Sequence, residues 1–382
     1  MKIAIAKERR PHERRVAATP DTIKRYLQWG FDVTVESGAG EGASISDAAF
    51  ADAGATVAAS RSEALSGSDI VLKVQRPLTE SEGDDGLADV PDGAILIGLQ
   101  NPYGDPGGVE AYAKRNITAF SMEMLPRISR AQSMDVLSSQ SNLTGYKAVI
   151  DGAANYGRGM PMLMTAAGRI NPAKVFVMGA GVAGLQAISI AKKLGAVVEA
   201  NDIRPAVKEQ VESLGGKFVD TGSPPDAETS GGYAKEAGEE FLKQQREILT
   251  KHISGADVLI TTALVPGKKA PVLVTADMRR AMAPGSVIID MAAGQGGNVE
   301  GSESGQTVVV DGVTIVGETN LPAQVANDAS RMYARNVFAF LGEFIDKEGA
   351  MTFDVEGEIL GAVSIVHDGA VRHEPTAKAL ES

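Results

Sequence analysis

The residues of this sequence best placed to do chemistry are Gly179-Ala180-Gly181-Val182-Ala183-Gly184, which follow the apolar run Ala173–Met178 and open a helical pattern. At this spacing each glycine has its own task. Gly179 permits a tight turn, Gly181 lets backbone amides approach a pyrophosphate, and Gly184 lets helix and strand pack closely. The N-terminus of the following helix adds positive potential for phosphate oxygens. Asp202 lies about 20 residues further on, at the end of the next predicted strand (Ala196–Asn201), where a carboxylate accepts from both ribose hydroxyls and repels a 2′-phosphate. Arg204 pulls the other way, since a nearby arginine is how such sites accommodate NADP; the carboxylate at the strand end favours NAD. The alternative is a glycine-rich strand-to-helix turn with no ligand. On the residues alone, Glu199 and Arg204 read as solvated charges.

Two further loops follow predicted strands, Thr261–Gly267 and Ile288–Gly294. Ligands in open α/β sheets lie beyond the carboxyl ends of the strands, so these loops, Ala263 and Leu264 among them, either line the nicotinamide half of the crevice or are well-packed turns. A third polar cluster runs from Pro126 through Arg127, Ile128, Ser129, Gln132 and Ser133 to Asp135, where a first domain ends and a long helix begins. It serves a domain cleft, or else Ser133 caps the helix and Asp135 favours its positive end.

The elements that must position these groups alternate between strand and helix. Lys2–Ala6, Phe31–Glu36, Asp69–Val74, Ala94–Leu99 and Ile117–Met122 read as strands, and Thr19, Pro20 and Gly30 bracket one clear helix. A long helix is predicted over Ala131–Tyr156. A second alternating unit contains strands at Ala173–Met178, Ala196–Ala200, Asp257–Ile260 and Ser286–Met291, with helices to Leu194 and over Pro205–Leu214. Nearly forty residues separate Lys217–Val219 from Asp257, opening with Ser223-Pro224-Pro225-Asp226, and read as a lid or surface insertion. Pro322–Phe344 reads as a helix crossing back, with Met351–Val355 and Val363–Val366 as closing strands. The expected fold is α/β, with two Rossmann-like domains whose parallel sheets are separated by a cleft and joined by long helices. One domain takes residues 1–133 and 325–382, the other 134–324.

Composition narrows the partners. The 382 residues are 43% hydrophobic and 23% charged, ordinary for two globular domains. Lys plus Arg number 37 against 49 Asp plus Glu, a net charge of −12, which argues against nucleic acid or anionic lipid as a partner. No cysteine is present, which removes thiolate chemistry and suits a reducing compartment. The four histidines are scattered and no metal is expected. The strand-like start and the lack of an 18-residue apolar run predict neither a signal peptide nor direct membrane insertion.

Arg127, Gln132 and Asp135, the glycine run, Asp202 and Gly231-Gly232-Tyr233-Ala234-Lys235 stand in the order seen in proton-translocating NAD(P) transhydrogenases. The chain resembles their NAD(H)-binding component over almost its whole length. It is also similar to alanine dehydrogenase, with openings like Arg15-Val16-Ala17 and Thr19-Pro20. The resemblance implies a polar loop in which Arg127, Gln132 and Asp135 hold and orient the nicotinamide, with Ile128 and Ser129 beside them and Ser138 assisting. It places Gly179, Ala180, Gly181, Val182, Gly184, Asp202, Ile203, Arg204, Ala263 and Leu264 at the nucleotide, and Gly232 and Tyr233 in a mobile lid. A homodimer is implied, together with membrane-spanning and NADP(H)-binding partner components that hold the chain at the cytoplasmic face of an inner membrane.

The departures separate the two relatives. Oxidising an amino acid requires acid/base and cationic side chains. Where alanine dehydrogenases resemble this chain they place Lys, His and Asp, and here the positions hold Gln75, Gln100 or Asn101, and Gly294. Lys73 and Arg15 remain as candidates for a residual substrate site, or as plain solvated or paired charges. Hydride passing between two nicotinamides releases no proton, so it needs no general base. The resemblance therefore implies transfer from NADH to NADP⁺ on a partner; an altered amino-acid dehydrogenase and a non-enzymatic NAD-binding regulatory subunit are the alternatives.

Overall fold

The computed structural model describes residues 1–222, 239–264, 267–346 and 349–381. It divides into two compact units, one of Met1–Gln140 with Pro322–Ser382, the other of Ser141–Leu321. In chain order the strands are β1 Lys2–Ile5, β2 Asp32–Glu36, β3 Thr56–Ala58, β4 Ile70–Gln75, β5 Ile95–Leu99 and β6 Thr118–Ser121. These are followed by β7 Leu163–Thr165, β8 Gly168–Ile170, β9 Lys174–Met178, β10 Val197–Asn201, β11 Lys217–Phe218 and β12 Val258–Thr261. The last are β13 Val287–Asp290, β14 Thr307–Val310, β15 Val313–Val316, β16 Ser364–His367 and β17 Ala370–Val371.

The first unit forms one sheet in the order β17-β16-β6-β5-β4-β1-β2-β3. Strands β1 to β6 pair in parallel, while β16 runs antiparallel to β6. Order 3-2-1-4-5-6 is doubly wound, and the chain reverses direction across the sheet between β1 and β4. Parallel strands are covered on both faces and so read as continuous apolar runs. Ile70, Val71, Leu72 and Val74 are accordingly all buried. The helix Pro20–Gln28 starts at an extended Thr19, whose reciprocal bonds with Thr22 close a capping box, and ends before Gly30 at φ +81°.

The second unit repeats the plan, with order β11-β10-β9-β12-β13-β15-β14 and only β14 antiparallel. Its switch point falls between β9 and β12. The two units are thus two α/β domains with mainly parallel sheets, as the alternating pattern predicts.

Several elements differ from the sequence reading. The helix expected over Ala131–Tyr156 is a 3₁₀ turn, Ser129–Met134, then a break at Asp135, then the helix Val136–Asn155. Pro322–Phe344 likewise opens as a 3₁₀ turn, Leu321–Val325, ahead of the helix Ala326–Leu341. Met351–Val355 is no strand, because Met351 makes only one isolated bridge to Ile345. Part of the long segment before Asp257 is the helix Glu239–Ser254, anchored by buried Leu249 and Ile253. Two hairpins escape that reading although each carries an Asp-Gly turn with both residues at positive φ. They are Asp311-Gly312 between β14 and β15, and Asp368-Gly369 between β16 and β17. No helix among the described residues is long and apolar enough to cross a membrane.

Within the second unit the helix Val136–Asn155 approaches its neighbours at two glycines. A Cβ at Gly145 would overlap the Ala183 carbonyl oxygen, and one at Gly152 would stand 2.8 Å from Val258 Cγ1. Neither gap admits a methyl group. Gly145→Ala is expected to lower stability by about 1–3 kcal/mol through overpacking, read as an earlier midpoint in urea unfolding followed by circular dichroism. An unchanged midpoint would show that the two helices separate without cost.

Candidate functional site

At the carboxyl end of β9 the chain turns sharply into the helix Val182–Lys193. Gly179 takes φ +100°, closed to most L side chains, and an added Cβ there would strike the Thr262 hydroxyl. A Cβ at Gly184 would overlap the Gly179 carbonyl oxygen. Packing of the protein against itself therefore demands glycine at both positions. Gly181 is different. It caps the helix at an ordinary φ of −75°, and an added Cβ would meet nothing within 4 Å. The space above it is open and faces the amino end of a helix, where backbone N–H groups and the helix dipole suit a phosphate. A dinucleotide's pyrophosphate fits that cradle.

Asp202 follows β10 and is nearly buried, with 5% of its side chain exposed. Its Oδ2 accepts from the Ala180 amide at 2.7 Å, so it braces the glycine turn from the next strand. Its Oδ1 accepts from the Arg204 amide at 2.8 Å, and the Arg204 guanidinium donates to both oxygens at 2.9 Å. Burial alone would push the Asp202 carboxyl up; the Arg204 and Ala180 donors outweigh it and hold it below the usual carboxylate range. Arg204 is thus an ion-pair partner, not a solvated charge. Glu199 is also paired, to His252 at 2.6 Å and Lys217 at 3.0 Å. Ile203, Val182 and Leu264 present exposed apolar side chains on the loops after β10, β9 and β12.

The loop after β12 is held on two sides by residues that the sequence reading did not single out. Thr262 donates its hydroxyl to the Gly179 carbonyl at 3.1 Å. Asn298, fully buried, accepts from the Ala263 amide at 3.0 Å and donates to the Ala263 and Pro271 carbonyls at 2.9 and 2.8 Å. Asp290, also fully buried, accepts from the Asn298 and Ala292 amides and the Thr261 hydroxyl. The only available signal was Asp290 and Asn298 beside apolar β13, and their partners are mostly backbone groups far off in sequence.

The remaining candidates lie in the first unit. Arg127, Ser129 and Gln132 are exposed, Ile128 is half-buried, and buried Ala131 and Met134 anchor the turn between them. Asn336 donates to the Ser133 carbonyl at 2.7 Å and accepts from Ser139 at 2.7 Å, fixing the turn from the helix Ala326–Leu341. Asp135 accepts from the Ser138 amide at 2.9 Å and hydroxyl at 2.5 Å at the start of the helix Val136–Asn155. The capping role thus falls to Asp135. Gly232 and Tyr233 lie outside the described residues. The candidates form two groups, one on each unit.

The switch point of the first unit is occupied by paired charges. Lys73 meets Glu8 at 3.2 Å, and Arg15 meets Glu13 at 2.7 Å and Gln140 at 2.8 Å, all deeply buried. Burial pushes the Glu8 carboxyl up despite Lys73. Gln75 donates to Glu13 at 3.2 Å, and Gln100, with no exposed surface, accepts from Tyr112 at 3.1 Å.

Residues 4–144 match the N-terminal domain, and residues 148–374 the C-terminal domain, of the family described as alanine dehydrogenase/PNT. The chain belongs to the alanine dehydrogenase/PNT family. Within it, the separately encoded first portion of the NAD(P) transhydrogenase alpha subunit of Rhodospirillum rubrum is 55% identical over 98% of each chain. Among solved structures, the transhydrogenase from Sinorhizobium meliloti shares 45% identity over 97% of this chain and 100% of its own, with a TM-score of 0.87. An L-alanine dehydrogenase is more distant, at 25% identity and a TM-score of 0.81, covering 100% of this chain and 99% of its own.

The two kinds of glycine separate experimentally. Gly184→Ala is expected to lower thermal stability and dinucleotide affinity together, because the overlap is internal. Gly181→Ala should leave the unfolding midpoint within about 2 °C of the parent, since a cap change of this kind costs well under 1 kcal/mol, while dinucleotide affinity falls at least about tenfold. Scanning fluorimetry and NADH fluorescence titration read the two quantities. Equal affinity for the Gly181 variant and the parent would remove the pyrophosphate from this turn.

Proposed function

We propose that the chain binds NADH and presents its dihydronicotinamide to NADP⁺ held by a separate component of a proton-translocating transhydrogenase. The observation that carries this reading is Gly181, a glycine that no internal contact requires, set between two that are required, at the amino end of a helix. The identity to transhydrogenase subunits over almost the whole chain supports it.

In the transfer, the C4–H bond of the dihydronicotinamide breaks and its electron pair and hydrogen form the C4–H bond of NADPH, leaving NAD⁺. No proton enters or leaves at the reacting carbons. The step depends on orientation and exclusion of water. Glutamines at 75 and 100, which do not exchange protons near neutral pH, suit it. An amino-acid dehydrogenase would draw on Arg15 and Lys73, and both are engaged by internal carboxylates.

Gly179, Ala180, Gly181, Val182 and Gly184 hold the pyrophosphate, Asp202 the adenosine ribose, and Ile203, Ala263 and Leu264 flank the nucleotide. Asp202 selects NAD by accepting from the ribose diol and repelling a 2′-phosphate. Gln132 orients the nicotinamide, with Arg127, Ile128, Ser129 and Asp135 shaping its loop and Ser138 fixing Asp135. Gly232 and Tyr233 are assigned to a lid on family resemblance. The chain acts as a homodimer, held at the cytoplasmic face of an inner membrane by membrane-spanning and NADP(H)-binding subunits, and the whole complex couples transfer to proton movement.

Mixing the purified chain with the NADP(H)-binding component, NADH and an NADP⁺ analogue of shifted absorbance should give hydride transfer in stopped flow. Transfer without the component, or none with it, overturns the reading. Gln132→Asn should slow transfer at least about tenfold while NADH affinity stays within about twofold, because orientation acts on the reacting geometry more than on binding. Parallel losses in rate and affinity would take the orienting role away from Gln132.

A further inference from the structure

The Asp202 carboxylate offers about four lone-pair positions, and four donors meet it: the amides of Ala180 and Arg204 and two nitrogens of the Arg204 guanidinium. The arginine is bound side-on through Nε and Nη2, a fork that suits a carboxylate. Asp202 is nearly buried while half of the Arg204 side chain is exposed, so the acid is the fixed partner and the arginine the one that folds back. Only exposed Ile203 separates them in sequence, and both follow the strand end where a ribose would sit.

A guanidinium at this place matches a phosphate dianion as well as it matches a carboxylate. Set free, Arg204 would stand within a side chain's length of a 2′-phosphate. We propose that Asp202 excludes NADP by two separable means, its own charge and its capture of Arg204, and that Arg204 becomes a 2′-phosphate ligand when Asp202 is removed. This rests on the nucleotide reading above and goes further in making Arg204 a specificity-determining residue whose effect depends on its neighbour. The ion pair also has to open for the ribose diol to be accepted, because the diol needs oxygen lone pairs that the guanidinium occupies.

The test compares NADH and NADPH affinities, by fluorescence titration, for the parent chain, Asp202→Ala, Arg204→Ala and the double variant. Asp202→Ala should lose NADH affinity and gain NADPH affinity at least about tenfold, the scale of one charge-assisted fork. The double variant should lose most of that NADPH gain. Asp202→Asn, which keeps an acceptor for the Ala180 amide, guards against misfolding and should show the same dependence on Arg204. An NADPH gain equally large with and without Arg204 overturns the capture and leaves charge repulsion alone. So does an absent gain in folded Asp202 variants when the parent binds NADH. A parent chain that binds neither nucleotide would instead overturn the nucleotide reading, and this inference with it.

Discussion

The nucleotide end of the second unit depends on one close approach, the first turn of the helix Val182–Lys193 lying against the peptide of Gly179 with no room for a side chain at Gly184. That contact sets where the helix begins and where its unpaired amides point. A methyl group at Gly184 would lift the helix from the strand, and the open ground above Gly181 would lose its donors. Gly179 meets the same constraint from the other side, since its left-handed φ and the nearby Thr262 hydroxyl both exclude a side chain.

Other bonds serve to keep that turn in place. Asp202 holds the Ala180 amide from β10, and Thr262 holds the Gly179 carbonyl from β12, so both neighbours of β9 brace the loop between them. Asn298 then fixes Ala263 through both faces of its peptide, and Asp290 fixes Asn298. A buried carboxylate such as Asp290 is tolerable because several donors meet it. The loops at this switch point are therefore linked in series, and disturbance at Asp290 would reach the glycine turn through Asn298, Ala263 and Thr262.

What was legible in the sequence follows from which interactions leave a mark on residue type. A turn that excludes Cβ atoms demands glycine, and a ribose diol at a strand end calls for a carboxylate, so the Gly179–Gly184 run and Asp202 could be read directly. Apolar runs likewise revealed the parallel strands β1, β4, β9, β12 and β13. Thr262 and Asn298 could not be found in this way, because their partners are backbone atoms 83 and 35 residues distant and any polar residue looks alike until its burial is known. Asp135 could be seen as either a helix cap or a ligand; its bonds to Ser138 show the cap and leave its outward role to the proposal. The β3 strand was too short to register, with only three residues, Thr56–Ala58.

Two sheets of the same winding, each with its switch point, meet different fates in one chain, and side chains decide which. At the β1/β4 end of the first unit, Glu8 accepts the Val74 amide and pairs with Lys73, while the Tyr333 hydroxyl donates to the Lys73 carbonyl. The crevice beside them has a volume of about 20 Å³, room for a single water molecule. Charges neutralised within the fold fill the place where topology alone would put a ligand. At the β9/β12 end no such charge intrudes, and glycines leave backbone amides bare. Winding supplies the opportunity in both units, but only where the chain withholds side chains does a ligand find unsatisfied donors. The resulting site offers positioning groups and dipoles, with its one carboxylate, Asp202, committed to binding. Such a site is suited to moving a hydride between two carriers that bring their own chemistry.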